Sequence, residues 1–227
     1  MKRHSAIEGA AARRAQPAYP FHEAARYLLM SDSTLRSWFT GQKGFAPVIA
    51  LSDPKVHALS FDNLVEAHVL AAIRRKHGLT LQRVRKALNY TKSRLGLDRP
   101  LIHQQFETNG IDLFVEQLGE TVNASQGGQL AMRLRARLER IDRDDHGMPI
   151  KLFPFTRSSE AANDARLIVI DPEIAYGRPT ISGRGVPTDV IADRYLAGEP
   201  IETLAQDYGA ASSAIEEALR CELRRAA

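Results

Sequence analysis

Residues 187–223 read PTDVIADRYLAGEPIETLAQDYGAASSAIEEALRCEL, and their punctuation leaves room only for short helices. Ile191, Ala192, Tyr195 and Leu196 fall on one helical face, and Gly198 breaks the chain after them. Pro200 opens a second helix whose face is Ile201, Leu204, Ala205 and Tyr208, and Gly209 ends it. Ser213 with Glu216 three residues on is a capping-box pattern for a third helix bearing Ile215, Ala218, Leu219 and Leu223. The spacing predicts a compact three-helix unit.

The segment in front, GRPTISGRGVP from Gly177 to Pro187, raises the alternative of a phosphate cradle. A P-loop needs G-x-x-x-x-G-K-S/T between strand and helix, and a dinucleotide fingerprint needs G-x-G-x-x-G. Neither pattern is present, because Gly177, Gly183 and Gly185 are sparsely set and Gly185 is followed by Val186-Pro187. These glycines are expected to shape turns.

The charge is divided unevenly. Residues 1–100 hold 17 Lys and Arg against 7 Asp and Glu, a balance of +10, while the rest hold 14 against 20, a balance of −6. A basic half suits a polyanion such as nucleic acid, and an acidic half is repelled by one. The basic half also carries the clearest helix pair. Pro20 precedes Phe21, Ala24, Ala25 and Leu28 at helical spacing. Ser31 or Asp32 then caps a second helix that puts Leu35, Trp38 and Phe39 inward and Thr34, Arg36 and Ser37 outward, with Gly41 ending it. Two short helices with an abrupt joint suit a helix-turn-helix whose second helix enters the major groove.

Residues 47–51 and 56–61 are extended apolar segments around Ser-Asp-Pro-Lys, which predicts a hairpin with Lys55 at its tip. A helix with Val65, Val69, Ala72 and Ile73 inside runs to Gly78, and another carries Leu81, Val84, Leu88 and Leu95; Arg and Lys are expected on the outside of both. In the middle, Asn109-Gly110 predicts a tight turn in a two-stranded ribbon. The helix from Gln126 to Ile141 buries Leu130, Leu134 and Leu138, and its Arg133, Arg137 and Arg140 are expected to be a solvated stripe paired with Glu139 and Asp142. Residues 149–155 are expected to form a strand, and residues 156–164 a loop.

The chain of 227 residues is long enough for one large domain or two small ones, and 44% hydrophobic against 26% charged residues is an ordinary globular composition. Apolar runs are too short to cross a membrane, so a cytoplasmic protein without membrane partners is expected, with residues 1–18 as a disordered tail. The single Cys221 forms no internal disulfide and no thiolate metal site alone. Ser-His-Asp elbows, paired metal-binding histidines and converging carboxylates are not visible, which argues against an enzyme, a cofactor or a metal.

Two resemblances add to this reading. The order of helix, turn, helix, wing and two helices ending in LTLQRVRKAL resembles the winged DNA-binding domain of MerR-type regulators over residues 19 to about 95. It implies that Ser33, Thr34, Arg36 and Ser37 meet the major groove, that Lys55 and His57 lie on the wing, and that Arg74, Arg75 and Lys76 contact phosphates. Asp171-Pro172, Gly177-Arg178-Pro179, Ile181-x-Gly183, Val186-Pro187-Thr188 and the AGEPIETLAQDYG segment are similar to the family catalogued as domain of unknown function 433, over about 167–223. That resemblance implies a homeodomain-like helical unit of a type II antitoxin that inhibits a PIN-like ribonuclease toxin. The family commonly has Gly-Thr-Arg where this chain has Gly183-Arg184-Gly185. The combination looks like the longer VapB-type antitoxins.

The expected architecture is mainly α with short β-hairpins. It comprises a winged helix-turn-helix domain at residues 19–97, a mixed ribbon-and-helix region at 98–160 and a C-terminal toxin-binding antitoxin domain at 161–227. Operator DNA is the partner expected for the first domain. For the last, the toxin surface is expected to include Arg178, Arg184, Asp189, Asp193, Glu216 and Glu217, because acidic groups suit the basic groove of a ribonuclease. A homodimer or a larger toxin–antitoxin assembly is expected, since helix-turn-helix proteins commonly read two half-sites. The alternative is a free-standing MerR-like transcriptional regulator whose C-terminal part senses an effector or dimerises.

Overall fold

The computed structural model describes residues 2–41, 44, 46–74, 80–118, 124–157 and 165–223. Arg75, Lys76 and Gly78 lie outside the described residues, as does most of the loop expected at 156–164; nothing is described of the side chains of Ile73 and Arg74. The fold is mainly α with short antiparallel strands.

A helix without a solvated face organises the N-terminal half. In the helix Phe61–Arg74, every side chain from Phe61 to Ala72 is buried, as in a helix enclosed by other elements. From Phe61 to Ala72 it carries no Arg or Lys, and the basic outer face expected of Arg74, Arg75 and Lys76 lies outside the described side chains. Its Asn63 is satisfied by the chain just before it. Asn63 Oδ1 accepts from the Ser52 amide at 2.9 Å, and its Nδ2 donates to the Ala50 carbonyl at 2.8 Å. Residues 2–15, expected to be a tail, are instead helical: α1 (Lys2–Ala15) packs on this central helix and buries Arg14, whose Nε lies 3.4 Å from Asp62. Arg14 needs its carboxylate there, which is why the segment is ordered onto the domain.

The helix pair forms as read. Strand β1 (Pro17–Pro20) leads into α2 (Phe21–Tyr27), and α3 (Asp32–Thr40) follows, with the Ser31 hydroxyl accepting from the Thr34 amide and Gly41 at φ 75° ending it. Leu35, Trp38 and Phe39 are buried. The hairpin over 47–61 does not form. Instead β2 (Ala58–Ser60) pairs antiparallel with β1, upstream of the helix pair. Residues 47–51 pack as irregular chain because the Val48 and Ile49 amides both donate to the Trp38 carbonyl, and Pro47 has no amide to give. The central helix becomes α4, and α5 (Leu81–Leu95) follows, capped by Thr80 and burying Val84 and Leu88.

The predicted ribbon around Asn109-Gly110 is also overturned. Residues 106–110 form a wide helical turn that runs into α6 (Ile111–Gln117), with Gly110 at φ −81°. Phe106, Ile111, Phe114 and Leu118 are buried, a helical spacing that outweighs the turn dipeptide. A side chain on Gly110 would meet the Phe106 ring at 2.6 Å, so this glycine serves close packing.

Helix α7 (Ala124–Leu138) buries Leu130, Leu134 and Leu138 against α4, as expected. Its arginines depart from the solvated stripe. Arg137 and Arg140 are buried, donate to the carbonyls of His68 and Phe153, and lie over the Phe155 ring. The His68 ring stacks on Phe155 with centroids 5.6 Å apart, and burial beside two guanidinium groups holds it neutral.

A four-stranded antiparallel sheet runs in the order β3 (Ile141–Arg143), β4 (Pro149–Leu152), β5 (Ile168–Ile170) and β6 (Pro179–Ile181). The boundary expected near residue 160 thus falls inside one sheet, because Leu152 pairs with Ile170 across it. The three helices then follow as α8 (Thr188–Leu196), α9 (Ile201–Asp207) and α10 (Ser212–Leu223). Two details differ. Tyr195 and Leu196 are exposed rather than buried, and Ser213 lies within the first turn of α10, not at its cap. Gly177, Gly183 and Gly185 have φ of 78°, 72° and 67°, so they do shape turns.

Candidate DNA and partner surfaces

The α2–α3 joint carries the geometry of the first surface. Leu29 adopts φ 54°, and Leu28, Leu29 and Met30 donate their amides back to the last turn of α2, so the chain reverses within three residues. The small positive-φ turn ties α3 to α2 at a fixed angle. Ser33 and Arg36 are exposed on α3, and Ser37 is half-buried. Thr34, expected outside, is buried; its hydroxyl takes a bond from Ser31 at 2.8 Å. Arg36 is held, with Nε 2.5 Å from Asp32 Oδ2 and its guanidinium 4.8 Å over the Phe21 ring. Lys55 and His57 are exposed on the loop that leaves Trp38, with Lys55 in a turn closed by Asp53. Sequence reasoning missed Arg85, whose guanidinium on α5 anchors that loop through the Ala46 and Pro47 carbonyls.

Under this surface lies a buried ionic network. Arg99 reaches Glu66 with Nε at 3.1 Å and Nη2 at 2.5 Å, and Asp62 with Nη1 at 3.5 Å. Burial pushes Glu66 and Asp62 above the usual carboxylate range, and the guanidinium groups only partly offset it.

The second surface belongs to the C-terminal helices. Arg178 and Asp189 face each other at 2.8 Å, and both are partly exposed. Arg184 and Asp193 are exposed, and Glu216 pairs with Arg220 at 2.8 Å. Glu217 departs from its expected role. It is buried and bound by Arg157 and Arg220, so it holds α10 to the strand side of the domain. Arg194 bridges Glu199 and Asp207, which ties α8 to α9.

The two surfaces are joined by groups that sequence periodicity could not reveal. Arg26 on α2 pairs with Glu222 on α10 at 2.6 Å, and the Thr188 hydroxyl donates to the other Glu222 oxygen at 2.5 Å. The Tyr19 hydroxyl donates to the Gly177 carbonyl at 3.0 Å, in a site where burial drives its pKa upward. Arg13 meets Glu173. Cys221 is buried at this seam, which raises its pKa and leaves it inert. Among the described residues no cluster of His, Cys, Asp and Glu is arranged to hold a metal ion, and no helix is long and apolar enough to cross a membrane.

Comparison with known proteins follows the same division. Residues 17–88 match the family model described as "Putative DNA-binding HTH domain", and residues 168–220 match "Protein of unknown function (DUF433)". A Mycobacterium tuberculosis protein named "Putative antitoxin VapB45" is 29% identical, over 89% of this chain and 92% of that protein. The uncharacterized protein Rv2308 of the same organism is 26% identical over 88% of each. The crystal structure of Rv2018 from M. tuberculosis superposes with a TM-score of 0.69 at 26% identity, covering 90% of this chain and 98% of that one. The chain is thus similar, along nearly its whole length, to these proteins, and it carries a helix-turn-helix match and a DUF433 match in one chain.

Proposed function

We propose that this protein is an antitoxin that binds operator DNA through its helix-turn-helix and binds and inhibits a PIN-like ribonuclease toxin through its C-terminal helices. The observation that carries the reading is the full-length similarity to a protein named as an antitoxin, together with the split of +10 and −6 between the halves. On this reading Ser33, Arg36 and Ser37 approach the major groove, with Lys55 and His57 on the neighbouring loop and Arg74 and Arg75 near phosphates. Arg178, Arg184, Asp189, Asp193 and Glu216 contribute to the toxin surface. The role of the protein is regulatory rather than catalytic. It acts as a homodimer, because palindromic operators are read by two-fold pairs.

The test is co-expression with the product of the adjacent open reading frame. Relief of that product's growth arrest, with co-purification, supports the reading. Arrest that persists, with no complex, would instead favour a free-standing regulator of the MerR type. A recess between residues 47–52 and α5, lined by Val48, Leu51, Leu88 and Arg99, is where such a regulator would admit an effector.

A further inference from the structure

The turn between β5 and β6 is built in an unusual way. Ala175, Tyr176 and Gly177 are consecutive residues with φ of 49°, 58° and 78°, although only the third is glycine. Left-handed backbone at two non-glycine residues in a row is costly and persists only where surrounding contacts over-determine it. Those contacts are visible. The Ile174 amide donates to the Asp171 carbonyl, the Gly177 amide to Ile174, and the Arg178 amide to Ala175. The buried Tyr19 hydroxyl clamps the Gly177 carbonyl from the helix-turn-helix half, and the Asp171 carboxylate accepts the Glu173 amide at 2.8 Å. This rigid frame displays the Tyr176 side chain at 93% exposure, the most exposed large apolar side chain among the described residues. Exposed Ile174 and Arg178 flank it.

We propose that Tyr176 is an anchor for the protein partner, inserted into an apolar recess on the toxin; this rests on the toxin-binding reading above. A ring fixed in advance on a rigid turn loses little conformational freedom on binding, and Tyr beside Arg is the composition of interface hot spots. The charges nearby favour a protein over a nucleic-acid strand. Arg13 pairs with Glu173, Arg178 with Asp189, and Lys151 lies 3.8 Å from Asp171, so the neighbourhood offers little uncompensated positive charge to phosphates. The ring also stands at the rim of a recess lined by Gln16, Ala18, Tyr19 and Phe61, so a partner that grips it lies close to both halves.

The test compares Tyr176→Gly and Tyr176→Phe with the wild type in the full chain, using the purified product of the adjacent open reading frame. Glycine accepts the φ of 58° without strain, so Tyr176→Gly is expected to melt at or above the wild-type temperature and to keep its operator binding. Its dissociation constant for the toxin is expected to rise at least tenfold, whereas Tyr176→Phe stays within about threefold. Unchanged toxin affinity in Tyr176→Gly, with a wild-type complex formed, overturns the anchor and leaves the antitoxin reading intact. No complex with the wild type overturns both. Wild-type binding to a labelled single-stranded RNA oligonucleotide that Tyr176→Gly abolishes, with toxin affinity unchanged, assigns the ring to nucleic acid and overturns the proposal.

Discussion

Around α4 the charged groups Arg14, Asp62, Glu66 and Arg99 lie largely inside and form ion pairs with one another, whereas around α8 and the turn before it Val190, Leu196 and Tyr176 stand in water. The interior around α4 is closed, with α7 supplying Leu130, Leu134 and Leu138 to it. The C-terminal half buries Ile191, Ala192, Leu204, Ile215 and Ala218 but leaves large apolar groups uncovered at its edge. Isolated exposed apolar residues are normal, so their number alone carries no argument. The contrast matters because Tyr176 stands on a turn with two consecutive non-glycine residues at positive φ. On the anchor proposal, that strain is what holds the ring ready for a partner.

The strongest way to break the comparison is to remove the cation at the centre of the first half. Arg99→Ala leaves Glu66 buried and facing Asp62 without its main counter-charge. A loss of about 3–5 kcal/mol is expected, the usual range when one member of a buried ion pair is deleted. Urea unfolding of the full chain measures it. A loss below about 1 kcal/mol would mean that water already solvates the network, and that this half is no better closed than the other.

The seam between the halves is probed at Gly177. Gly177→Ala introduces a Cβ 2.5 Å from the Tyr19 hydroxyl at a φ of 78°. The expected cost is about 2–4 kcal/mol, from left-handed strain and the clash together. In a Tyr19→Phe background the hydroxyl is gone, so only the strain of about 1–2 kcal/mol should remain beyond the cost of Tyr19→Phe itself. The two changes should therefore be non-additive in a double-mutant cycle. Additivity would show that the clamp between halves relaxes freely.

Much of this architecture was legible in the sequence, and what escaped has common physical causes. Helix periods with clear stops gave α2, α3, α8, α9 and α10, because Pro20, Gly41, Pro200 and Gly209 act locally. Strand partners are non-local. Residues 48 and 49 give their amides to the Trp38 carbonyl while β2 pairs with β1, and no spacing in residues 47–61 records either partner. The turn dipeptide at Asn109-Gly110 lost to packing of Phe106 against Phe114, whose centroids lie 6.1 Å apart. Arg137 and Arg140 read as solvated because they continue a polar period at and just past the end of α7, while the ring that receives them, Phe155, lies well beyond the helix. The candidate surfaces were partly visible for the same reason. Ser33 and Arg36 follow from the face of α3, but Glu217 was placed outside because its partner Arg157 comes from a different element.

The smallest expected effect sharpens the comparison through pH. Glu66 is pushed up by burial, against the hydrogen bonds and charge of Arg99. A carboxyl whose folded pKa exceeds its unfolded one contributes stability that is complete below the unfolded value and is lost as pH rises through the folded value. Glu217 has the opposite sign. Burial raises it, but the hydrogen bonds from Thr156 and Arg157 and the Arg220 charge prevail and hold it below the ordinary range. Its contribution is present above the unfolded pKa and is lost as pH falls through the folded one. Glu66→Gln should therefore flatten the stability profile on the neutral side of the carboxylate range, and Glu217→Gln on the acid side. Denaturant midpoints at a series of pH values read both, with differences on the order of 1 kcal/mol across each window. If both variants flatten the same side, the two halves do not differ in how they hold their buried carboxylates. Opposite sides would mean that desolvation dominates at Glu66 while the hydrogen bonds and charge of Thr156, Arg157 and Arg220 dominate at Glu217, two ways of holding a buried carboxylate in one chain.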